Sequence, residues 1–369
     1  MKVNLSVGIR LPTFLAHKLF CLQAPKKRSI VEIVEERDWV IKRIGVELKK
    51  RFAKHDYQCE LDTLPLFHSN KLIHFGSINT FTEKKARMSD RSNILVATMY
   101  HGNFGINKQM DNNIKMIIRN HLRLDKIIVS TTEMKRRMIS WGIPPEKLVI
   151  IPIGFEIEPF IKSRDLNMAE IRQKYQIPTD AICIGSFQKD GNDWGDGNEP
   201  KLIKGPDVFV KSVCELSKKF KVHCLLSGPA RGYVKNELHK NNISFTHIMA
   251  KDFSEIVTLY RCLDLYLVTA REEGGPMSLM ESMASGVPLV STNVGMAPDM
   301  IIDGENAFIV PVDDVQGLVA KSVTVLTNVD VRSRLVNHGF KTVGRYDWDV
   351  LIEDYVRLYK ELMEAKFKQ

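Results

Sequence analysis

Short apolar, β-branched runs alternate with helical stretches along almost the whole chain, and this alternation restricts the fold more than any other feature. The runs fall at 2–7, 72–75, 94–100, 127–130 and 148–152, and then at 182–187, 222–227, 265–269, 289–291 and 307–310. Helical patterning occupies 32–52, 207–219, 315–326 and 348–365. Strands separated by helices make parallel sheets, because a parallel pair needs a long crossover rather than a tight turn. The expected class is α/β. At ~150 residues per domain, 369 residues make two domains. The break falls at 151–165, where IPIGFEIEPFIKSRD mixes Gly, Pro and charge without a period. Asn167 and Glu170 then read as a capping box that opens a new helix. Ligands of open parallel sheets bind beyond the carboxyl ends of the strands, so the informative residues are those that directly follow a strand.

Composition narrows the class further. The chain is 44% hydrophobic and 26% charged, which excludes disordered, collagenous and disulfide-scaffold proteins. No apolar run reaches the ~18 residues of a membrane span, and no secretory leader is expected. Cys21, Cys59, Cys183, Cys214, Cys224 and Cys262 stand singly, without a C-x-x-C or a metal-spaced His. They read as reduced thiols, and the cytoplasm is the expected compartment. Residues 1–150 hold 27 Lys and Arg against 14 Asp and Glu, while the whole chain nets +9. The first half is therefore expected to meet an anion: a lipid headgroup surface, an acidic acceptor or a phosphate. Aromatic residues do not interleave with the basic runs, so no nucleic-acid partner is expected.

The strongest site lies at 265–290, LYLVTAREEGGPMSLMESMASGVPLV. A buried strand runs into an acidic, glycine-rich turn. Pro276 reads as a first helical position, and Gly286 stops the helix. Gly274 and Gly275 allow close backbone approach, and the free N–H groups of the helix start suit an anion. Glu273 and Glu281 have seven residues between them, E(x7)E spacing, one in the turn and one in the helix. Carboxylates at two depths accept hydrogen bonds from vicinal diols, such as those of a sugar or a ribose. A second post-strand segment, AICIGSFQKDGNDWGDGNEPKLIKGPDVFV at 181–210, ends with Lys204 just before a Gly-Pro helix start. A lysine there meets an anion with the helix dipole behind it. Asp190, Asp193 and Asp196 do not have calcium-loop spacing, and no metal site is expected. In the first half, ILVATMYHGNFG at 94–105 ends a strand with His101 followed by Gly102.

EGGPMSLMESMASGVPLVST resembles the E(x7)E donor motif of the family 4 retaining glycosyltransferases, glycosyl transferases group 1. The resemblance extends through VGMAPDMIIDGENAFIVPVDDVQGL and WGIPPEKLVIIPIGFEIEPF and covers roughly 94–362. It implies a GT-B fold, with two facing Rossmann-like domains of parallel sheets and an interdomain cleft. The domains would be 1–153 and 154–345, with a helix at 346–369 crossing back to the first. By resemblance, Glu281 holds the ribose and Glu273 the donor-sugar hydroxyls. The stretch Gly274, Gly275, Pro276, Met277 and Ser278 would hold sugar hydroxyls and diphosphate. Lys204 matches the lysine that grips the diphosphate. Its usual partner, an Arg directly after the strand glycine, is Ser186 here, and Lys189 is the substitute, with Lys201 the other choice. His101 matches the strand-end His beside the donor sugar. The opening departs from the family: 7–12 lack the glycine pair, and 11–22 are mildly amphipathic.

The implied activity is metal-independent, retaining transfer of a hexose from a UDP- or GDP-sugar to a glycan, a lipid-linked acceptor or another hydroxyl, in cell-surface polysaccharide or glycolipid synthesis. The nucleotide sugar is a co-substrate, and no cofactor is implied. A peripheral contact with an anionic membrane at the inner face is a further expectation. The alternatives are a catalytically inactive sugar-nucleotide-binding protein and another GT-B enzyme, such as a nucleotide-sugar epimerase.

Overall fold

The structure, a computed structural model, describes residues 28–36, 40–192 and 195–367. The expected strand at 2–7, the segment 7–12, the amphipathic stretch 11–22 and Cys21 lie outside these residues. The chain forms two compact units. One comprises the described residues up to Pro152 together with those from Leu351 onward, and the other is Ile153–Val350.

The first unit is built on a sheet of six parallel strands. They are β1 (Ser29–Ile33), β2 (Gln58–Asp62), β3 (Leu72–Phe75), β4 (Ile94–Met99), β5 (Lys126–Val129) and β6 (Leu148–Ile150), in the order β2-β1-β3-β4-β5-β6. The second sheet has β7 (Ile182–Phe187), β8 (Val222–Ser227), β9 (Ser244–Ile248), β10 (Leu265–Val268), β11 (Leu289–Thr292) and β12 (Phe308–Val310), in the order β12-β11-β10-β7-β8-β9. The central strands are buried along their length, which is why they read as continuous apolar runs. The expected parallel α/β class is what the chain adopts.

The helix expected over 32–52 is wrong in its first third. Residues 29–33, Ser-Ile-Val-Glu-Ile, are strand β1, and the described helix is Val40–Phe52. Glu32 hides the strand in the sequence by interrupting an apolar run, yet it is fully buried. Its carboxylate lies 2.7 Å from His74 Nδ1, and His74 Nε2 lies 2.7 Å from the Thr98 hydroxyl. A charge is tolerated in the core because a neighbouring strand supplies its partner. Strands β2 and β9 were also not anticipated. Both are edge strands of mixed polarity, QCELD and SFTHI, and half-buried edges carry little apolar signal.

Two cores follow from these sheets. In the first unit, Val31, Ile73, Phe75, Leu95 and Ile127 pack with Ile114, Ile117, Met134 and Met138 from the covering helices. The last helix, Trp348–Phe367, supplies Tyr355 and Tyr359, whose rings pack on Phe52 and His74; Phe52 and Tyr359 stack 5.4 Å apart. Each such ring contributes about 2 kcal/mol by burial. In the second unit, Ile184, Leu226, Leu265 and Val290 form the sheet side of the core, facing Phe209, Val213, Leu318 and Leu335. Asn167 caps the expected helix, but not as a capping box: its side chain accepts from the Ala169 N–H, and its amide, not its backbone N–H, donates to Glu170 at 2.9 Å.

Candidate donor site

In the second sheet β7 and β10 are hydrogen-bonded neighbours, and the chain leaves them toward opposite edges. Loops that diverge from such a point open a crevice at the carboxyl ends of the strands. Residues 188–205 follow β7 and residues 269–276 follow β10.

The loop after β7 is fixed at its root by Arg231, which is 1% exposed. Its guanidinium donates to the carbonyls of Ser186, Ser227 and Gln188 at 2.6, 2.9 and 3.1 Å, and to the Ser186 hydroxyl at 3.0 Å. Its Nε lies 3.1 Å from buried Asp190. Asp190 thus takes a guanidinium as its cation, and Asp193 lies outside the described residues. Among the described residues no three His, Cys, Asp or Glu side chains group as metal ligands.

Fastening the root positions three lysines. The Lys201 N–H donates to the Asp190 carbonyl at 2.7 Å. Burial lowers the proton affinity of the Lys201 ammonium; the charges of Lys204 and Lys189 lower it further, and Glu273 opposes them. Lys189, Lys201 and Lys204 therefore form one positive cluster at the switch point. Both basic candidates for the first phosphate contact, Lys189 and Lys201, belong to it. Lys204 Nζ is ion-paired with Glu273 Oε1. The two residues expected to grip diphosphate and sugar hold each other.

Gly205 makes this approach possible. Its φ is +63°, and a Cβ there would lie 1.8 Å from the Thr269 carbonyl oxygen. Any side chain would separate the two loops that carry Lys204 and Glu273. Arg271 staples the same loops: both guanidinium nitrogens contact the Asp207 carboxylate at 2.8 Å, and its N–H donates to the Ile203 carbonyl at 2.8 Å. Arg271 was not anticipated, although its place two residues before Glu273 is a signal that could have found it.

The two flanking helices begin without side-chain caps. Gly205 precedes the helix Pro206–Ser217, and Pro276 precedes the helix Met277–Ser285; neither provides a capping oxygen. Pro276 is the capping residue rather than the first helical one, so the helix opens one residue later than expected. By contrast Thr131, Asn167, Asp252 and Asn328 cap their helices with side chains. Uncapped first-turn N–H groups and the positive end of the dipole are free to meet an anion. Gly274 is buried, while Met277 and Ser278 are partly exposed in that first turn. Gly275 packs against Ile153 and Met296, where a Cβ would come within 2.7 Å of both, so its smallness also serves packing.

Glu281 lies one turn further along. Burial pushes its carboxyl up to about 7, and a hydrogen bond of 2.9 Å from the Tyr260 hydroxyl partly offsets this. Tyr260 is fully buried and stacks on Tyr266 at 5.4 Å, with Phe187 edge-on at 4.9 Å. Through its hydrogen bond Tyr260, a core residue, orients Glu281. Phe253 is 39% exposed and packs its ring on Phe160.

His101 belongs to the first unit. It is exposed and lies two residues beyond β4, which ends at Met99, rather than on the strand's last position. Gly102 follows at φ +147°, where a Cβ would lie 2.8 Å from Met110 Sδ. Its carbonyl accepts from Arg137 at 3.1 Å. The backbone beside His101 is thereby held in a conformation that requires glycine.

Residues 200–342 match the family described as glycosyl transferases group 1. An uncharacterized glycosyltransferase of Methanocaldococcus jannaschii is 26% identical over 164 residues, 44% of this chain and 46% of that protein. A D-inositol 3-phosphate glycosyltransferase of Acidothermus cellulolyticus is 22% identical over 263 residues, 66% of this chain and 54% of that protein. The matches thus span about half the length of these curated relatives. Among solved structures, Anabaena Alr3699/HepE in complex with UDP superposes with a TM-score of 0.72 at 14% identity, covering 90% of this chain and all of that one. The chain therefore has the GT-B fold, and the segment that matches the glycosyl transferases group 1, 200–342, includes Lys204, Glu273 and Glu281.

Proposed function

We propose that the protein is a glycosyltransferase that moves a hexose from a UDP- or GDP-sugar to a hydroxyl of a glycan or lipid-linked acceptor, with retention and without a metal. The observation that carries this reading is the Lys204–Glu273 pair, set among Lys189, Lys201 and two uncapped helix starts, with Glu281 one turn away. A diphosphate brings more negative charge to Lys204 than a single carboxylate does, so donor binding exchanges one partner for the other. Glu273, once released, accepts hydrogen bonds from hydroxyls of the donor sugar. The helix start at Met277 and Ser278 meets the departing diphosphate, and the carboxylate of Glu281 receives the ribose diol.

Catalysis on this reading comes from orientation and from stabilising charge on an oxocarbenium-like sugar and its leaving group. No covalent intermediate is invoked. His101 carries charge stabilisation at the reacting centre by resemblance; His101→Ala is expected to lower turnover while leaving nucleotide affinity intact. Metal independence predicts undiminished transfer in the presence of a chelator. Contact with an anionic membrane predicts co-sedimentation with vesicles of anionic but not neutral lipid. No described helix is long and apolar enough to cross a membrane.

The first experiment is thermal unfolding with UDP, GDP, ADP and CMP. A nucleotide at 100 times its dissociation constant adds about 2.7 kcal/mol. One nucleoside diphosphate should raise the melting temperature of the wild type and fail to do so in Glu281→Ala. No response to any nucleotide at millimolar concentration would reject the donor site.

A further inference from the structure

The first unit has a switch point of its own. Strand β1 lies between β2 and β3, so the chain leaves β1 toward one edge and returns on the other side. Beyond the carboxyl ends of these three strands is a cavity of about 490 Å³. This is within the ~300–1,000 Å³ common for small-molecule sites. Glu35 and Glu36 reach it from the end of β1, Thr63 from β2, Asn79 and Thr80 from β3, and Lys85 from the helix Glu83–Met88.

The charges in this cavity face one another without touching. The Lys85 ammonium, half-buried, experiences the negative charges of Glu36, Asp62 and Glu35. Among the described residues none of the three is in ion-pair contact with it. Asp62 is committed elsewhere, to His68 Nε2 at 3.0 Å and to the N–H groups of Thr63 and Leu64 at 2.6 and 3.2 Å. The gap between one ammonium and two carboxylates matches a chain of hydroxyls, because each hydroxyl accepts from the ammonium side while donating to a carboxylate. A phosphate fits poorly: it would meet two like charges for each opposite one. This lining is the reverse of the half of the chain that carries it, whose overall charge is strongly positive.

We infer that this cavity receives the acceptor, and that the part of the acceptor it binds is an uncharged, polyhydroxylated ring rather than a sugar phosphate. The inference rests on the transferase reading above and adds the acceptor class to it. It departs from the inositol phosphate for which the Acidothermus relative is named.

The test is ligand-observed NMR on the full chain with methyl glucoside and glucose phosphate as probes. Wild type is compared with the surface double variant Glu35→Ala/Glu36→Ala and with Lys85→Met. Methyl glucoside should bind wild type more tightly than glucose phosphate does. Its affinity should fall about tenfold in the double variant, as expected for lost hydrogen bonds to charged groups. Glu36→Lys should reverse the preference toward glucose phosphate. The nucleotide-induced thermal shift should be unchanged in all three. Tighter binding of glucose phosphate to wild type, equal binding of methyl glucoside to wild type and double variant, or no binding of either probe would each overturn the inference. Loss of the nucleotide response with glucoside binding intact would instead reject the donor reading and leave this cavity standing.

Discussion

Among the described residues the two sheets have the same number of parallel strands and each has one switch point, yet the charged side chains that gather there differ. After β7 and β10 Lys189, Lys201 and Lys204 cluster, with Lys204 ion-paired to Glu273. After β1 and β3 stand Glu35 and Glu36 around a single ammonium, Lys85. The contrast runs against bulk composition. Residues 1–150 hold 27 basic and 14 acidic side chains, and the chain as a whole nets +9, so the remainder is acidic. Net charge is a property of solvated helix faces. The charge that a ligand meets is set by a few side chains at the loops of one sheet end. On the proposed reading a donor with two phosphates and an uncharged acceptor meet different units, against what bulk charge suggests.

The largest effect that would break this contrast is structural. Gly205→Ala forces a Cβ onto the Thr269 carbonyl and should cost about 3 kcal/mol or more, read as a lower denaturation midpoint. A variant as stable as wild type would mean that the two donor loops are not locked as described. Next, Lys204→Ala should weaken UDP or GDP binding about 30-fold by calorimetry while affecting the nucleoside monophosphate much less, since a charge-assisted phosphate contact is lost. Lys85→Ala in the other unit should leave that affinity unchanged; equal losses in both would erase the distinction between the sheets.

Glu281 gives a smaller, pH-dependent effect. Its folded carboxyl titrates near 7, above the ordinary value of 4.5, because burial favours the neutral form. The folded state therefore binds this proton more tightly than the unfolded state does. The stability that the proton lends is present below 4.5 and is lost as pH rises through 7. Glu281→Gln lacks this loss and should gain stability relative to wild type across that window, with a plateau above it. A ribose diol favours the carboxylate, so wild-type nucleotide affinity should rise between pH 6 and 8 more than that of Glu281→Gln. Parallel profiles would remove Glu281 from the site. The smallest expected change is in Tyr260→Phe: a roughly threefold loss of nucleotide affinity at pH 7, recovered at pH 8, from the missing hydroxyl donor.

What the sequence reveals follows from how local the signal is. The strand–EGGP–helix–Gly string is contiguous, so the turn, the helix and the places of Glu273 and Glu281 are legible along the chain. Lys204 is legible because Gly-Pro follows it. The buried guanidinium of Arg231 is not, since its partners, Ser186 and Asp190, lie more than 40 residues away. Tyr260 reads as core and is core; only three-dimensional proximity shows that its hydroxyl serves Glu281. Strand β1 is obscured by Glu32, whose burial depends on His74 in a different strand. The cavity beside Lys85 gathers residues from three strand ends and a helix, with no motif in common.

The measurement that bears most directly on the donor site is calorimetric titration of Glu273→Gln with the nucleoside diphosphate that stabilises the wild type, alongside a transfer assay. Glu273 is ion-paired with Lys204, so its neutralisation should leave diphosphate affinity unchanged or raise it while sugar transfer is lost. If the variant instead loses diphosphate affinity to the same degree as Lys204→Ala, the exchange of partners at Lys204 is wrong and Glu273 supports the loop rather than the sugar.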